Sequence, residues 1–195
     1  MRTRRRRVAS AALLLALAAC TNAPDPVRFP ELTYAHLGAI RLAVARVEIV
    51  EAYRPPLAAP NVDHRMPAIP AAALRRWAQD RLIATGDGTA RARFTIRDAR
   101  VTETELPRTE GVRGLFTTDQ GQRYDLRMET TLEIVEGSAV VGRAAAVTTL
   151  SRTIAENATL DERERLWFAM VEDGTQAVTS ELERRMRENL ARYIR

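Results

Sequence analysis

The 195-residue sequence has one cysteine, Cys20, only two histidines and no lysine. One cysteine excludes a disulfide within the chain and a cysteine-based zinc cluster, and two histidines disfavour a multi-histidine metal site. The 30 basic residues are therefore all arginines, and five of them lie in the first seven positions. Without those five, 25 basic residues balance 25 acidic ones. This neutral remainder lacks the basic excess typical of nucleic-acid-binding domains, so we expect no nucleic-acid partner and no cofactor.

The sequence also lacks a hydrophobic run long enough to cross a membrane. Its apolar stretch over residues 8–19 has 12 residues, whereas a helix needs about 20 to span a bilayer core. The stretch follows the basic residues 1–7 and ends in Ala18 and Ala19, small residues typical of a cleavage point. We therefore predict a signal peptide over residues 1–19. A buried structural cysteine, or an ordinary secretory signal cleaved nearby, are the alternatives at Cys20.

The end of the apolar stretch, Leu17-Ala18-Ala19-Cys20, resembles the lipobox of bacterial lipoproteins. The resemblance implies that Cys20 becomes the first residue of the mature chain and carries two or three acyl chains such as palmitate, enough for a stable membrane anchor. Thr21 follows, where an aspartate would favour the inner membrane in this family. The resemblance therefore implies a lipoprotein anchored in the outer membrane and facing the periplasm.

The mature chain divides into a tether and one domain. Residues 20–36 contain Pro24, Pro26 and Pro30, typical of an extended tether, and residues 37–195 form the predicted domain. Alternation of apolar and polar residues predicts strands over residues 39–50, 90–102, 123–135 and 139–153. Helices are predicted from Pro70 to about Thr85 and from Leu160 to about Ile194. This β-α-β-β-β-α order predicts an α+β two-layer sandwich, with a mostly antiparallel sheet and two helices on one face.

Local signals refine this prediction. The apolar phase switches within residues 39–50, which indicates a bulge or a crossing between two environments. Thr159 and Glu162 have the spacing of a capping box, and Gly137 marks a hairpin turn. Gly174 in the long helix is expected either to break or kink it, or to allow close approach to the sheet.

A lipobox ahead of this element order is similar to LptE-like lipopolysaccharide-assembly lipoproteins, YajG-like lipoproteins and auxiliary lipoproteins of ABC-type transporters. The segments 60–67, 76–82 and 116–120 resemble those of an uncharacterised group of proteobacterial lipoproteins. These resemblances imply a binding or assembly factor rather than an enzyme.

Two loops carry the candidate contact residues. The proline-rich residues 51–70 contain Asp63 and His64. We interpret His64 as an exposed loop histidine. The alternative is a functional His64, as a lone ligand or as the general base of a hydrolase, although no G-x-S-x-G motif accompanies it. Leu115 and Phe116 follow Gly114 in a second long loop. They are expected either to form a contact tip or to fold back onto the core.

Arg91, Arg93, Arg97 and Arg100 follow one predicted strand. They would form a basic strip for anionic lipid, or they would pair across the sheet with Asp125, Glu129 and Glu133, which we favour because the mature net charge is zero.

We therefore predict a lipid-anchored, non-enzymatic envelope protein that binds a partner protein or envelope lipid, with Cys20 as the lipidation site and His64, Leu115 and Phe116 as contact residues. No catalytic, cofactor or metal site is predicted. One alternative is an accessory lipoprotein of a lipid transport system, holding an acyl chain between the long helix and the small residues of the fourth strand. The other is an envelope hydrolase using Asp63 and His64.

Overall fold

The computed structural model describes residues 28–107 and 119–195. The predicted signal peptide, Cys20, Leu115 and Phe116 lie outside these described residues. In chain order, the elements are β1 (Ile40–Leu42), β2 (Arg46–Glu51), α1 (Pro70–Arg81), β3 (Leu82–Ala84), β4 (Arg91–Glu105), β5 (Gln120–Glu136), β6 (Ala139–Ala155) and α2 (Leu160–Asn189).

The larger of two sheets has the strand order β2-β4-β5-β6. Its pairs β4–β5 and β5–β6 are antiparallel, whereas β2 and β4 are parallel. A second, two-stranded parallel sheet joins β1 to β3. Both helices pack on the same face of the larger sheet, through contacts such as Trp77 with Phe94 and Tyr124 with Trp167. The predicted α+β class, with helices on one face of a mostly antiparallel sheet, is confirmed.

The single strand predicted over residues 39–50 is two strands that belong to different sheets. Residues 43–45 form the turn between β1 and β2, and Ala43 donates its N–H to the Tyr193 carbonyl, 2.8 Å away. The switch of apolar phase therefore marks a crossing between two environments. Helix α1 begins at Pro70 as predicted but ends at Arg81 rather than Thr85, because residues 82–84 leave the helix to pair with β1.

The long helix α2 is continuous through Gly174 and ends at Asn189, followed by one 3-10 turn. The prediction of a helix reaching about Ile194 was therefore too long by one turn. At Gly174 a Cβ atom would lie 2.3 Å from Leu126 Cδ2, and at Gly142 one would lie 2.6 Å from Leu190 Cδ2. These two glycines let the helix pack directly against the sheet. Thr159 and Glu162 form the predicted capping box.

A β-bulge between Ile96 and Asp98 lets β4 keep one apolar face along its whole length. Before the bulge the residues facing the helices have even numbers, as at Phe94, and after it they have odd numbers, as at Val101; both side chains are fully buried. An extra residue in one strand shifts the alternation by one position. The bulge therefore explains the phase shift in the sequence after Ile96.

The chain enters the domain along the helices. Phe29 stacks on Phe168 of α2 with ring centroids 5.1 Å apart, and the Tyr34 N–H donates to Asp80 of α1 over 2.8 Å. Tyr34 is buried. The part of the predicted tether within the described residues thus lies against the helical layer.

Candidate functional site

The proline-rich loop extends the edge of the larger sheet. Strand β2 pairs only with the first six residues of β4. Beyond the bulge, Val62 donates its N–H to the Val101 carbonyl over 2.9 Å, and Glu103 donates to the Pro60 carbonyl over 2.8 Å. The loop therefore satisfies backbone groups of β4 that β2 leaves free, which holds its central residues in place.

The proline-rich loop borders an open cavity of about 530 Å³, within the range of roughly 300–1,000 Å³ that is typical of ligand pockets. Arg65 from the loop and Glu103 and Glu105 from β4 supply its charged groups, and His64 adds an imidazole. Its lining consists of Leu57, Ala58, Ala59, Pro60, Asn61, Val62, His64, Arg65, Glu103 and Glu105. We call this the loop cavity. It combines an apolar rim, with Leu57 64% exposed, and charges of both signs.

Asp63, beside this cavity, is almost completely buried, with 1% of its surface exposed. Burial raises the pKa of its carboxyl above the ordinary value, because desolvation disfavours the charged form. Burial and the neighbouring Asp63 carboxylate likewise raise the pKa of Tyr53. The two groups influence each other electrostatically, yet neither Asp63 Oδ1 nor Tyr53 Oη has a hydrogen-bond partner of ordinary geometry within the described residues.

His64 is half-buried rather than exposed, because its loop folds back onto β4. Its Nδ1 atom is buried and, among residues 28–107 and 119–195, has no hydrogen-bond partner. The same holds for Asp63 Oδ1. An aspartate that orients a catalytic histidine accepts a hydrogen bond from its ring. Asp63 Oδ1 and His64 Nδ1 do not form such a bond.

The four arginines of β4 lie on the outer face of the larger sheet, away from the helices. The bulge returns Arg100 to the face that carries Arg93, and both have acidic neighbours: Arg93 lies 3.6 Å from Glu133, and Arg100 lies 2.8 Å from Asp98. Arg97 donates to the Thr131 hydroxyl over 3.3 Å. The predicted pairing with acids of the next strand is thus found for Arg93 and Glu133, whereas Arg100 pairs with an acid of its own strand.

The other two acids predicted to pair with this strip have neighbours on their own strand. Asp125 lies 2.9 Å from Arg123, and Glu129 lies 2.8 Å from Arg127. A shallow depression of about 470 Å³ on this outer face is lined by Arg100, Thr102, Asp125, Leu126, Arg127, Thr149, Leu150 and Ser151. Its charged groups are already engaged in ion pairs.

The region between sheet and helix offers little space for an acyl chain at the points where it was expected. Ala144 and Ala146 of β6 are buried, and Gly142 lies in direct contact with Leu190. A small apolar groove of about 280 Å³ lies elsewhere, between residues 30–32 and the start of α1. Small residues on β6 therefore serve close packing of α2.

Two further findings concern the described part of the chain. No helix there is long and apolar enough to cross a membrane. No group of three or more His, Cys, Asp or Glu residues there is arranged to hold a metal ion. Leu115 and Phe116, the second pair of predicted contact residues, lie outside this part, so their role stays a prediction.

No protein-family model and no curated protein matches this sequence. Among solved structures, the chain is similar to an uncharacterized lipoprotein B from Nitrosomonas europaea, with 15% identity, a TM-score of 0.39, and coverage of 76% of this chain and 86% of that one. It is also similar to the rare lipoprotein B from Shewanella oneidensis, with 8% identity, a TM-score of 0.36, and coverage of 71% and 91%. A PelC dodecamer from Paraburkholderia phytofirmans follows with 20% identity, a TM-score of 0.21, and coverage of 77% and 94%.

Proposed function

We propose that this chain is a lipid-anchored, non-enzymatic protein of the bacterial envelope, fixed to the outer membrane through Cys20 and binding a partner protein at the loop cavity. The observation that carries the binding site is the loop cavity itself, in which the fold brings the predicted contact residue His64 together with Glu103 and Glu105 at the end of β4. Leu115 and Phe116 remain predicted contact residues on the basis of the sequence.

The chemistry of the loop cavity favours a protein partner over an acyl chain. Charged residues of both signs, Arg65 with Glu103 and Glu105, line it beside the exposed Leu57. Burying an acyl chain against these charges would desolvate them without compensation. A peptide surface, in contrast, offers apolar side chains for the rim and hydrogen-bonding groups for the charges.

The anchor limits where this surface is presented. Seven residues lie between Cys20 and Arg28, so the fully extended chain spans eight residue steps and reaches at most about 29 Å. Arg28 is followed by Phe29, which is stacked on α2. A lipidated Cys20 would therefore hold the helical layer within that distance of the membrane surface.

Site-specific photo-crosslinking in cells tests the binding surface. A photoreactive residue at Leu57 should yield an adduct with one protein of defined mass. Ile83, a 43% exposed apolar residue on the two-stranded sheet, serves as the matched control and should yield none. The proposal fails if Leu57 gives no adduct, or if both positions give the same adducts.

Cell fractionation tests the anchor separately. Cys20→Ser removes the only sulfur that a diacylglyceryl group can attach to, so the protein should move from the membrane fraction to the soluble periplasmic fraction. The unmodified and substituted chains should show the same thermal unfolding, because the change replaces one sulfur atom by oxygen and alters none of the buried core residues. Retention of Cys20→Ser in the outer membrane would contradict a lipid anchor.

A further inference from the structure

The larger sheet has two edges, and they differ in how they are protected. Strand β2 is a six-residue edge that carries the charged residues Arg46, Glu48 and Glu51, and the proline-rich loop continues it along β4. Short length, charge and a covering loop are the features that keep natural sheet edges from pairing with other chains.

Strand β6 is longer and less charged. It has 17 residues, of which only Arg143 and Arg152 are charged, and among the described residues it pairs only with β5. Within residues 28–107 and 119–195, no strand pairs with its other side. Side-chain donors engage the carbonyls of Val141 and Ser151, from Arg192 and Arg152 respectively. The stretch 142–150 between them contains no proline, no carboxylate and one arginine, so it is an open template for another strand.

We propose that this edge of β6 pairs antiparallel with β6 of a second copy of the chain, about a two-fold axis at Ala146 or Val147. The two four-stranded sheets would merge into one sheet of eight strands. Ala146 and Val147 lie at the middle of the open stretch, so this register pairs most of it. Exposed side chains along it, Val147 (47% exposed) and Thr149, are β-branched and favour strand pairing.

Exposed and buried residues alternate along the middle of β6, and this pattern allows the strand to pair with a second copy of itself. Odd-numbered residues from Arg143 to Ser151 face outward and are exposed, whereas Ala144 and Ala146 face the helices and are buried. A two-fold axis perpendicular to the sheet keeps both helical layers on one side, so odd residues lie opposite odd residues. The charged residues Arg143 and Arg152 have opposite parity. No register of this kind places Arg143 of one copy directly opposite Arg152 of the other.

The same symmetry fits two anchored chains, an argument that rests on the proposed lipid anchor. Each chain enters its domain at Phe29, against α2, on the helical side of the sheet. Because the two helical layers of the pair face the same way, both N-terminal segments start on that side. Two copies anchored in one leaflet can therefore pair without either tether crossing the sheet.

Native mass spectrometry of the full mature protein, released from detergent at high micromolar concentration, tests the pairing. The unsubstituted protein should be a dimer. Val147→Glu places two carboxylates opposite or diagonal to each other across the axis, and should raise the dimer dissociation constant by about tenfold or more, giving monomers on dilution. Val50→Glu is the matched control: Val50 is a 40% exposed valine on the same face of the other edge strand, and this variant should remain dimeric.

A monomeric unsubstituted protein, or a Val147→Glu variant as dimeric as Val50→Glu, would overturn the proposal. Thr149→Glu provides a second edge variant should Val147→Glu fold poorly, and thermal unfolding of each variant identifies such a failure. The intact masses recorded in the same experiment show whether Cys20 carries lipid, so a missing anchor and a missing dimer are separate results.

Discussion

The two faces of the larger sheet are stabilised by different interactions, apolar packing on one and ion pairs on the other. The inner face is apolar and closed by two helices, with Trp77 on Phe94 and Gly174 against Leu126. The outer face carries arginines and carboxylates together with residues that bear hydroxyl groups. Arg100 lies directly opposite Arg127 there, and Asp98 lies opposite Glu129.

Such like-charge pairs are unfavourable in isolation. They are compatible here because opposite charges meet diagonally: Arg127 Nε lies 3.3 Å from Asp98. The comparison indicates that the inner face determines stability, whereas single charges of the outer face can be changed with little effect on stability.

The largest effect is expected at the centre of the inner face. Trp77→Ala removes a fully buried indole that contacts Phe94, and should lower the free energy of unfolding by about 3–5 kcal/mol. Urea denaturation followed by circular dichroism measures this loss. A loss below about 1 kcal/mol would contradict the assignment of stability to this face.

Gly174→Ala tests the close approach of α2 to β5. The new methyl group would lie 2.3 Å from Leu126 Cδ2, a buried side chain, and overpacking of this kind costs about 1–3 kcal/mol. Combining it with Leu126→Val should cost less than the sum of the two single changes, because the second change removes the contact. Strict additivity in the same denaturation assay would show that the helix does not rest on Leu126.

Asp63→Asn tests the buried carboxyl of the proline-rich loop. Since burial raises the pKa of Asp63, the folded protein binds the proton more tightly than the unfolded chain. Its stability should therefore fall as pH rises from about 4, the ordinary aspartate pKa, through the folded-state value, and this penalty remains at neutral pH.

The asparagine variant lacks that dependence, so its stability relative to the unsubstituted protein should increase with pH. Thermal unfolding at several pH values checks this. A constant difference between the two proteins across the range would show that Asp63 does not titrate differently in the folded state.

The smallest effect is expected on the outer face. Arg100→Gln removes a half-exposed cation that lies 2.8 Å from Asp98, but Arg127 stays beside the same carboxylate. The change should alter the free energy of unfolding by about 0–1 kcal/mol. This effect should become smaller at high salt, because salt screens the ion pair. A loss comparable to that of Trp77→Ala would show that the two faces do not differ as described.

The inner face explains why much of the fold could be predicted. Alternation over β4, β5 and β6 is strong because each strand has one face on the core and one in solvent. The capping box at Thr159 and the proline at the start of α1 act locally, so their sequence signals suffice.

The features that depend on distant partners were harder to predict. Strand β3 exists because Leu82–Ala84 pairs with β1 about 40 residues earlier, and nothing in those three residues distinguishes them from a last helical turn. The edge position of the proline-rich loop likewise depends on Val101 and Glu103 accepting and donating bonds across the fold. The bulge in β4 shifts the apolar residues from even to odd positions after Ile96, and this shift in the sequence is enough to indicate where the bulge lies.

The candidate site was predicted in part. His64, a predicted contact residue, lines the loop cavity, and its role as a contact stays a prediction. Glu103 and Glu105 were not predicted to lie there, because only the fold brings the end of β4 beside residues 57–65. The burial of Asp63 could not be predicted from the sequence either, since an aspartate in a proline-rich loop is ordinarily exposed.

The central claim is that Cys20 is acylated and holds this domain at the envelope. Intact-mass spectrometry of the protein purified from bacterial membranes tests it most directly. We predict a mature chain that starts at Cys20 and carries the added mass of a diacylglyceryl group, with or without a third acyl chain. A chain that retains Met1, or one that starts at another residue with an unmodified cysteine, would contradict the claim.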